Sequence, residues 1–466
     1  MPCKGMVCFM TISNDTIAAI ATPNAVGGIS MIRISGPEAT EVADRVFRPV
    51  SEKTLKERKG YTGSYGTVFD AEGEIDNAVA FVYHAPKSYT GEEVVELSCH
   101  GGIIVTRRLL RAILDAGARL AEPGEFTKRA YLNGKMTLTQ AESVLDIVNS
   151  QSEQAARCAK TALDGVLYRK IAGIRDRLIK ETAHITAWID FPEEDVDAVK
   201  LSFLRNELLE IKQELKELIR TFDVGRIVHM GVNTAIVGKP NVGKSTLMNL
   251  LAGCEKSIVT DTAGTTRDIV EETVNLGDVV LRLADTAGIR KTRNAVEQAG
   301  IDRAKKRISE ADLVLLVLDA SEELESEDVE LMRVVRTKPT VVVLNKSDLG
   351  FKIDEEYIKK DFKHSVVISA KESSSVAALN EAVAKLMNLT DLDTNQPILA
   401  NERQRVCAGA ALNQIEAALD ALSFGMTLDA VNLSIEDAID SLLQLTGESV
   451  SEVVVDEVFS RFCVGK

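Results

Sequence analysis

The sequence contains no long apolar run and few cysteines, and each of these features argues against particular classes of protein. No run approaches the roughly 20 apolar residues that a membrane-spanning helix needs, and the apolar part of the N-terminus is too short for a signal peptide. The seven cysteines are scattered and form no Cys-x-x-Cys pair, which argues against a zinc site and a disulfide framework. We therefore expect a cytoplasmic protein in a reducing compartment.

Positive charge is outnumbered by negative charge. The 466 residues include 55 Lys and Arg against 70 Asp and Glu, which gives a net charge of −15. Such a chain has no general affinity for nucleic acid, so any RNA contact must come from a local basic patch. The length predicts about three domains.

A phosphate-binding loop is the first strong motif. Gly238–Ser245 reads Gly-Lys-Pro-Asn-Val-Gly-Lys-Ser, with an apolar run before it and a helical pattern after it. Glycines at this spacing let backbone N–H groups turn toward a triphosphate at a helix N-terminus. Lys244 is placed to reach the outer phosphates, and the Ser245 hydroxyl is placed to bind Mg²⁺.

Two identical tetrapeptides follow this loop and receive different interpretations. Asp285–Gly288 (Asp-Thr-Ala-Gly) ends an apolar run, where the aspartate can hold Mg²⁺ through water and the glycine amide can contact the γ-phosphate. Asp261–Gly264 has the same letters but precedes two threonines. We interpret it as the first switch loop, with Thr266 as the second hydroxyl ligand of Mg²⁺.

Two further motifs indicate guanine recognition. Asn345–Asp348 (Asn-Lys-Ser-Asp) and Ser369–Lys371 (Ser-Ala-Lys) each follow a strand-like apolar run. Asp348 can accept both N–H groups on the edge of guanine, which adenine lacks, and a mismatch leaves polar groups unpaired at roughly 1–3 kcal/mol each. Together the motifs predict a GTPase domain. The predicted GTP-binding residues are Asn241, Val242, Gly243, Lys244, Ser245, Thr246, Thr260, Asp261, Thr262, Ala263, Gly264, Thr265, Thr266, Asp285, Thr286, Ala287, Gly288, Asn345, Lys346, Ser347, Asp348, Ser369, Ala370 and Lys371.

The residue that orients the attacking water in Ras-like enzymes is missing. A glutamine normally follows the second tetrapeptide, but this chain has Ile289, which cannot hold water. Asn241 suggests a monovalent cation, because its amide oxygen and carbonyls of 260–265 can surround K⁺ in place of an arginine finger worth about 10³–10⁵ in rate. An ordinary turn residue is the alternative for Asn241. Glu297 is the candidate for orienting water, beside Lys244 and Thr266 as catalytic residues, with a solvated helix carboxylate as the alternative.

The rest of the chain divides into an α+β region and two helical regions. Strand-like segments at 15–20, 28–34, 78–84 and 94–98 and an amphipathic helix at 103–114 predict the α+β region. Residues 134–225 and 391–466 are almost wholly helical, and one long helix carries an apolar stripe. The stripe consists of Leu204, Leu208, Ile211, Leu215 and Leu218. The 188–194 segment is interpreted as a connection between helices. Two helical blocks around an inserted Ras-like P-loop GTPase domain, 226–390, most simply form one bundle.

Three stretches together resemble the MnmE family of tRNA modification GTPases, also called TrmE. They are Asp261–Asp268 with the asparagine-bearing phosphate loop, Pro123–Phe126 with Leu132–Lys135, and the terminal Phe462–Lys466. The resemblance covers essentially all of the chain except the first ten residues. It implies a multidomain α+β and α/β protein: a folate-binding and dimerisation domain at 1–133, and a helical domain at 134–225 and 391–466 that the GTPase domain interrupts.

The resemblance also implies an activity and its partners. A homodimer hydrolyses GTP with stimulation by K⁺ and, with the flavoprotein MnmG, modifies the 5-position of the wobble uridine in certain tRNAs. The one-carbon donor is 5-formyltetrahydrofolate. Carried over residue by residue, the folate contacts are Arg33, Glu96, Lys135 and Lys466, the K⁺ ligands are Asn241, Thr260, Thr262 and Thr265, and the Mg²⁺ ligands are Ser245 and Thr266.

Several of these residues have a plainer alternative. A cation and a carboxylate suit the glutamate tail and pterin of a folate, yet a single exposed Arg, Glu or Lys is more often a solvated charge. Thr262 departs from the aliphatic residue usual in the family, which matters only if its side chain is the ligand. Cys463 is left out of the catalytic set, because a small hydrophobe is an equal explanation. His100 is interpreted as a turn residue rather than a base.

Three functions stay open from the sequence. The first is the GTP-hydrolysing component of a tRNA-modifying complex, the second an RNA-binding ribosome-associated GTPase that modifies nothing, and the third a folate-dependent one-carbon enzyme regulated by its GTPase domain. The folate-like N-terminal region disfavours the second. The helical region split around the GTPase domain favours the first, because a nucleotide-driven change then reaches both helical blocks.

Overall fold

The structure, a computed structural model, describes residues 14–191, 197–253, 272–277, 279–283, 308–390 and 392–465. These residues fall into two units. Unit 1 takes in the described residues of Met1–Leu145, Tyr168–Leu208 and Ala410–Lys466, and unit 2 takes in those of Asp146–Leu167 and Leu209–Gly409. Within the described ranges, no helix is both long enough and apolar enough to cross a membrane.

The strands form a seven-stranded sheet in unit 1 and a six-stranded sheet in unit 2. In chain order they are β1 (Ile17–Ile20), β2 (Ile29–Ser35), β3 (Phe47–Pro49), β4 (Thr62–Asp70), β5 (Gly73–Tyr83), β6 (Val94–His100), β7 (Arg119–Leu120), β8 (Val232–Val237), β9 (Glu272–Leu276), β10 (Val279–Leu283), β11 (Leu313–Asp319), β12 (Thr340–Asn345) and β13 (Ser365–Val367).

The helices of the described residues are α1 (Ala39–Val46), α2 (Ile103–Asp115), α3 (Glu125–Leu132), α4 (Leu138–Asn149), α5 (Glu153–Leu163), α6 (Val166–Asp190), α7 (Leu201–Met230), α8 (Lys244–Gly253), α9 (Ser326–Val335), α10 (Glu355–Asp361), α11 (Ser375–Leu386), α12 (Glu402–Ser423), α13 (Leu428–Thr446) and α14 (Glu452–Ser460). Side-chain caps mark several helix starts. Ser152 accepts the Ala155 N–H at α5, and Glu325 and Asp328 form a capping box at α9.

The unit 1 sheet has its main apolar core on one face, and its other face, called the polar face below, carries an ion pair beside a smaller apolar cluster. Its strand order is β3-β4-β5-β6-β2-β1-β7, antiparallel except for the β1–β7 pair. Ile32 and Ile34 of β2 and Leu97 of β6 lie in a core with residues of α1 and α2. Because side chains alternate along a strand, Arg33 and Glu96 lie on the opposite face. They are direct neighbours in the β2–β6 register.

Helices of unit 1 are joined by polar and aromatic contacts. Arg175 of α6 donates to Glu448, which follows α13, at 2.6 Å. The Tyr131 hydroxyl of α3 donates to the Gly447 carbonyl, and the Tyr131 ring lies 6.1 Å from the Phe459 ring of α14. Gly124, at the start of α3, has φ +69°, and a Cβ there would overlap the Phe459 carbonyl. Segments far apart in sequence are therefore in direct contact in this unit.

The unit 2 sheet has a core on each face. Its order is β13-β12-β11-β8-β10-β9, parallel except for the β9–β10 hairpin. Leu315 and Val317 belong to one core, with α5, α8 and α11, while Leu316 and Leu318 belong to the other, with α9 and α10. Strands covered on both faces are apolar throughout, as β11 is. The loops after the parallel strands meet at one edge of the sheet.

The predicted elements are present with small shifts in their ends. Strands predicted at 15–20, 28–34, 78–84 and 94–98 correspond to β1, β2, β5 and β6, and the helix predicted at 103–114 corresponds to α2. The predicted stripe of α7 is buried along its whole length. Of the connection predicted at 188–194, residues 188–190 are the end of α6 and Phe191 follows the helix, while 192–196 lie outside the described residues.

Candidate GTP-binding site

The phosphate loop joins β8 to α8 and depends on glycine at two positions. Gly238 has φ +152° and Gly243 has φ +99°, a region that L side chains rarely adopt. A Cβ on Gly238 would overlap the Val317 carbonyl of β11, and a Cβ on Gly243 would overlap the Asn345 amide nitrogen. The loop can therefore lie close to the neighbouring strands only because both residues lack a side chain.

Lys244 begins α8 and points back into the loop. Its ammonium donates to the Gly238 and Lys239 carbonyls, both at 2.6 Å. Burial lowers the pKa of the Lys244 ammonium. Ser245, the next residue, is exposed in the first turn of α8, where the helix N-terminus favours anions. The arrangement brings a cation, a helix N-terminus and a hydroxyl to one point.

Asn345 joins the phosphate loop to the loops predicted to bind the base. Its amide nitrogen donates to the Val242 carbonyl at 2.9 Å, and its amide oxygen accepts the Ala370 N–H at 2.9 Å. The side chain is buried, so both polar ends need partners. One asparagine therefore fixes three loops relative to one another.

Asp348 is held at the mouth of the predicted base pocket. It lies in the 3₁₀ turn Ser347–Leu349. Its carboxylate accepts from the Ser369 hydroxyl at 3.0 Å and from the Lys371 ammonium at 2.9 Å. The Lys371 hydrogen bond, with the Ser369 hydroxyl second, lowers the pKa of Asp348, so the group is ionised and can accept N–H groups at neutral pH.

Two buried charges at this edge were not predicted. Asp319, the last residue of β11, receives the Lys346 ammonium at 2.5 Å. Burial opposes the charged form of Asp319, but the bonds from Lys346 and Ser321 outweigh it and lower its pKa. An aspartate at the end of a continuous apolar run is the signal that could have identified it.

Lys239, in the phosphate loop, is the second buried charge that was not predicted. Its ammonium lies 3.1 Å from Glu325, 3.2 Å from Asp328 and 3.5 Å from Glu322. Burial opposes the charge of Lys239, but hydrogen bonds to Glu325 and Asp328 raise its pKa. In the sequence, Lys239 occupies one of the unspecified positions between the two glycines of the loop pattern. Its acidic partners come close to it only in the folded chain.

Many predicted site residues lie outside the described residues. They are Thr260, Asp261, Thr262, Ala263, Gly264, Thr265, Thr266, Asp285, Thr286, Ala287, Gly288, Ile289, Glu297 and Lys466. The second Mg²⁺ ligand, three of the four K⁺ ligands and the water-orienting carboxylate therefore stay predictions. Asn241, the remaining residue predicted to bind K⁺, is exposed with φ +65°.

The polar face of the unit 1 sheet brings two predicted folate residues together. Arg33 donates to Glu96 through Nε at 2.9 Å and lies 2.8 Å from it through Nη2. The guanidinium is 5.4 Å from the Tyr89 ring centroid and 5.7 Å from that of Phe126. Burial raises the pKa of Tyr89. The result is a half-buried ion pair between two aromatic rings.

Other candidates of unit 1 lie in simpler surroundings. Lys135 donates to the Pro86 carbonyl at 2.9 Å, on the loop that also carries Tyr89. Cys463 is exposed near the end of the chain. His100, interpreted as a turn residue, is the last residue of β6, and its exposed ring contacts Asp76 at 2.8 Å.

Comparison with known proteins gives one consistent result. The family model "MnmE helical domain" matches residues 138–463, and "GTP-binding protein TrmE N-terminus" matches residues 16–135. The tRNA modification GTPase MnmE of Acetivibrio thermocellus is 41% identical over 460 residues, 97% of this chain and 99% of the relative. Those of Lactobacillus johnsonii and Clostridioides difficile are 41% and 40% identical over 456 residues, again 97% of this chain and 98% and 99% of the relatives.

Proposed function

The chain belongs to the MnmE family of tRNA modification GTPases, and from this membership we propose that it modifies the 5-position of the wobble uridine of certain tRNAs, using K⁺-stimulated GTP hydrolysis and a folate one-carbon donor. The observation that carries the nucleotide part is the Asn345 side chain, which joins the phosphate loop to the base loops. A strand-end turn without a nucleotide to bind has no need of that connection.

The described residues suit the ions proposed for hydrolysis. Hydroxyl and amide oxygens are the donors that Mg²⁺ and K⁺ prefer, and Ser245 and Asn241 are both exposed in the loop. Ser245 and Thr266 would hold Mg²⁺, and Asn241, Thr260, Thr262 and Thr265 would hold K⁺. These ions would offset the negative charge that develops between the β- and γ-phosphates. Lys244 would contact the outer phosphates, and Glu297 would orient the attacking water.

The polar face of the unit 1 sheet suits the proposed folate. Glu96 can accept from the pterin N–H groups, and Arg33, 2.8 Å from Glu96, can bind polar atoms at the same end of the ligand. Tyr89 and Phe126 flank the arginine, and Tyr89, which is half-buried, offers flat apolar surface for an aromatic ligand. Lys135 and Lys466 would complete the set of contacts.

The proposal includes an assembly. We assign residues 1–133 to folate binding and dimerisation, 134–225 and 391–466 to the helical domain, and 226–390 to the GTPase domain. Tyr65 and Phe81 leave 58% and 40% of their surface exposed on neighbouring strands β4 and β5, which supports a second copy as partner. The flavoprotein MnmG would be the other partner, in the cytoplasm.

Mass spectrometry of wobble uridines tests the function. In a strain without this protein, the 5-position should be unmodified in the affected tRNAs, and the full-length chain should restore it while Lys244→Ala should not. Full modification in the deletion strain would contradict the proposal and favour a GTPase that only binds RNA.

Binding of labelled 5-formyltetrahydrofolate tests the donor. Arg33→Met should weaken binding at least about tenfold, because a charge-assisted hydrogen bond is worth roughly 1.5–3 kcal/mol. Arg48→Met is the matched control, since Arg48 also lies over an aromatic ring, 5.0 Å from the Phe69 centroid, in the same sheet. Equal weakening by both variants, or no binding by the wild type, would exclude this folate site.

A further inference from the structure

A buried aspartate lies beside the guanine-recognition loop without belonging to its motif. Asp319 is 5% exposed and pairs in register with Asn345 at the end of the neighbouring strand β12. One carboxylate oxygen, Oδ2, receives the Lys346 ammonium at 2.5 Å. The other, Oδ1, accepts the Ser321 N–H at 3.0 Å and the Ser321 hydroxyl at 2.6 Å. Both oxygens therefore have partners, and the carboxylate has one defined orientation.

Lys346 is consequently held at both ends. Its backbone has φ +64° and ψ +33°, a left-handed conformation between Asn345 and the 3₁₀ turn. Its ammonium is fixed by Asp319. A lysine has a flexible four-carbon stem, and pinning its tip leaves that stem in one conformation before any nucleotide arrives. An apolar stem of this kind can lie along flat apolar surface while its charged end is satisfied elsewhere.

We propose that Asp319 is a positioning residue for nucleotide binding: by holding the Lys346 ammonium, it fixes this lysine of the predicted guanine-recognition motif in one conformation before the nucleotide binds. The proposal rests on GTP binding at the site described above. Asp348 reads the edge of the base, whereas Asp319 acts only through Lys346. Asp319 therefore sets how tightly a purine nucleotide is held, and it does not set which base is preferred.

A purely structural role for Asp319 predicts something different. In that case the carboxylate only orders the turn at Ser321, and its loss lowers the melting temperature without changing the affinity of the folded protein. The two roles are separated by measuring affinity and stability on the same variants, with fluorescently labelled GDP as the probe and the full-length chain as the protein.

The central variant is Asp319→Asn, which keeps the size of the side chain and removes its charge. We expect its Kd for labelled GDP to rise about three- to tenfold, because binding must then order a free lysine side chain. Its preference for GDP over xanthosine diphosphate should be unchanged, since Asp348 is intact. Ser321→Ala is the matched control, because it removes a hydroxyl bond to Asp319 but leaves the ion pair with Lys346. Its Kd for labelled GDP should stay within about twofold of the wild-type value.

Lys346→Met completes a double-mutant cycle. It keeps an apolar stem but loses the ammonium, so it should weaken binding by a factor similar to Asp319→Asn, and the double variant should be no weaker than Lys346→Met alone. Unchanged Kd in a folded Asp319→Asn, or losses that multiply in the double variant, would overturn the proposal. Should Asp319→Asn fail to fold, Lys346→Met decides alone: a folded variant with wild-type affinity overturns it. A wild type that does not bind GDP would instead contradict the GTPase function itself.

Discussion

At the scale of single residues, the nucleotide site is held together by side chains that bond to other loops. Asn345 was predicted as one letter of a guanine-recognition motif, and the structure gives its physical reason, since its amide bonds to Val242 and Ala370. Lys239 and Asp319 were not predicted, because their partners are set by which loops the folded sheet brings together. A sequence pattern identifies residues of a motif, but it does not identify a contact between loops.

Asp348→Asn should exchange the base preference of the protein. The carboxylate accepts two N–H groups of guanine, whereas an amide can donate to the carbonyl that xanthine carries in place of the exocyclic amine. We expect the affinity for GTP to fall roughly ten- to a hundredfold, since each lost bond costs about 1–3 kcal/mol, and the affinity for xanthosine triphosphate to rise. Competition binding measures both. Leu349→Ala, at an exposed position of the same turn, is the control, and an Asp348→Asn variant that still prefers GTP would refute the assignment of Asp348.

His229 should make the protein less stable in acid. Burial lowers its pKa to about 4, and the Asp146 carboxylate, 4.0 Å from Nδ1, is at the outer limit of an ion pair. Above about pH 6.5 the imidazole is neutral in both states. Below about pH 6.5 the imidazole is protonated in the unfolded chain but stays neutral in the folded chain. The free energy of unfolding therefore falls toward pH 4 by up to about 3 kcal/mol.

Urea unfolding of the full-length chain between pH 4 and pH 8 checks this pH dependence. His229→Gln should flatten the decline, because glutamine does not titrate. His364→Gln, a change at a half-buried histidine elsewhere in unit 2, should retain it. Parallel pH curves for the wild type and His229→Gln would show that burial of His229 is not the cause.

At the scale of elements, apolar runs predicted β8 and β12, which are apolar and buried. The strands that were missed are β11, which is also apolar and buried, and the polar and short ones. β4 begins Thr-Gly-Ser-Tyr-Gly-Thr, a composition more typical of a loop, and it is a strand because β3 and β5 pair with it on either side. β3 and β7 have three and two residues, too few for a periodic pattern.

The segment between β11 and α9 should be destabilised by Lys239→Met. Asp328 caps α9 and is 3% exposed. In Lys239→Met the buried Asp328 carboxylate loses the ammonium group that it is paired with. Breaking a buried ion pair from one side costs about 3–5 kcal/mol, so the free energy of unfolding should fall by an amount of that order. Because the Lys239 carbonyl also accepts from Lys244, GTP binding should weaken too.

Chemical denaturation of Lys239→Met, Lys239→Arg and Lys352→Met measures this effect. Arginine keeps the charge and should recover most of the loss. Lys352 is exposed, and its replacement should change stability by less than about 0.5 kcal/mol. Equal stability of Lys239→Met and Lys352→Met would mean that the ion cluster contributes nothing.

At the scale of the whole molecule, the sequence predicted a chain of helices around an inserted GTPase domain but not which core each helix joins. Helix α5 is amphipathic like its neighbours, yet its Ala155 and Cys158 lie in the core of the unit 2 sheet. Gln154 of the same helix donates to the Leu389 carbonyl, and Asn275 of β9 donates to the Gln151 carbonyl just before it. Amphipathic periodicity gives the buried face of a helix but carries no information about the partner of that face.

The ion dependence of hydrolysis tests the complete protein, because the proposed cage combines Asn241 with three threonines of the first switch loop. Na⁺ is too small to contact all the oxygens of a cage sized for K⁺. GTP hydrolysis by the full-length chain should therefore be several-fold faster in KCl than in NaCl at equal ionic strength. Asn241→Ala should remove the difference, and Asn249→Ala, at an exposed position of α8, should keep it. Equal wild-type rates in the two salts would eliminate the K⁺ site and leave Asn241 as an ordinary turn residue with a left-handed backbone.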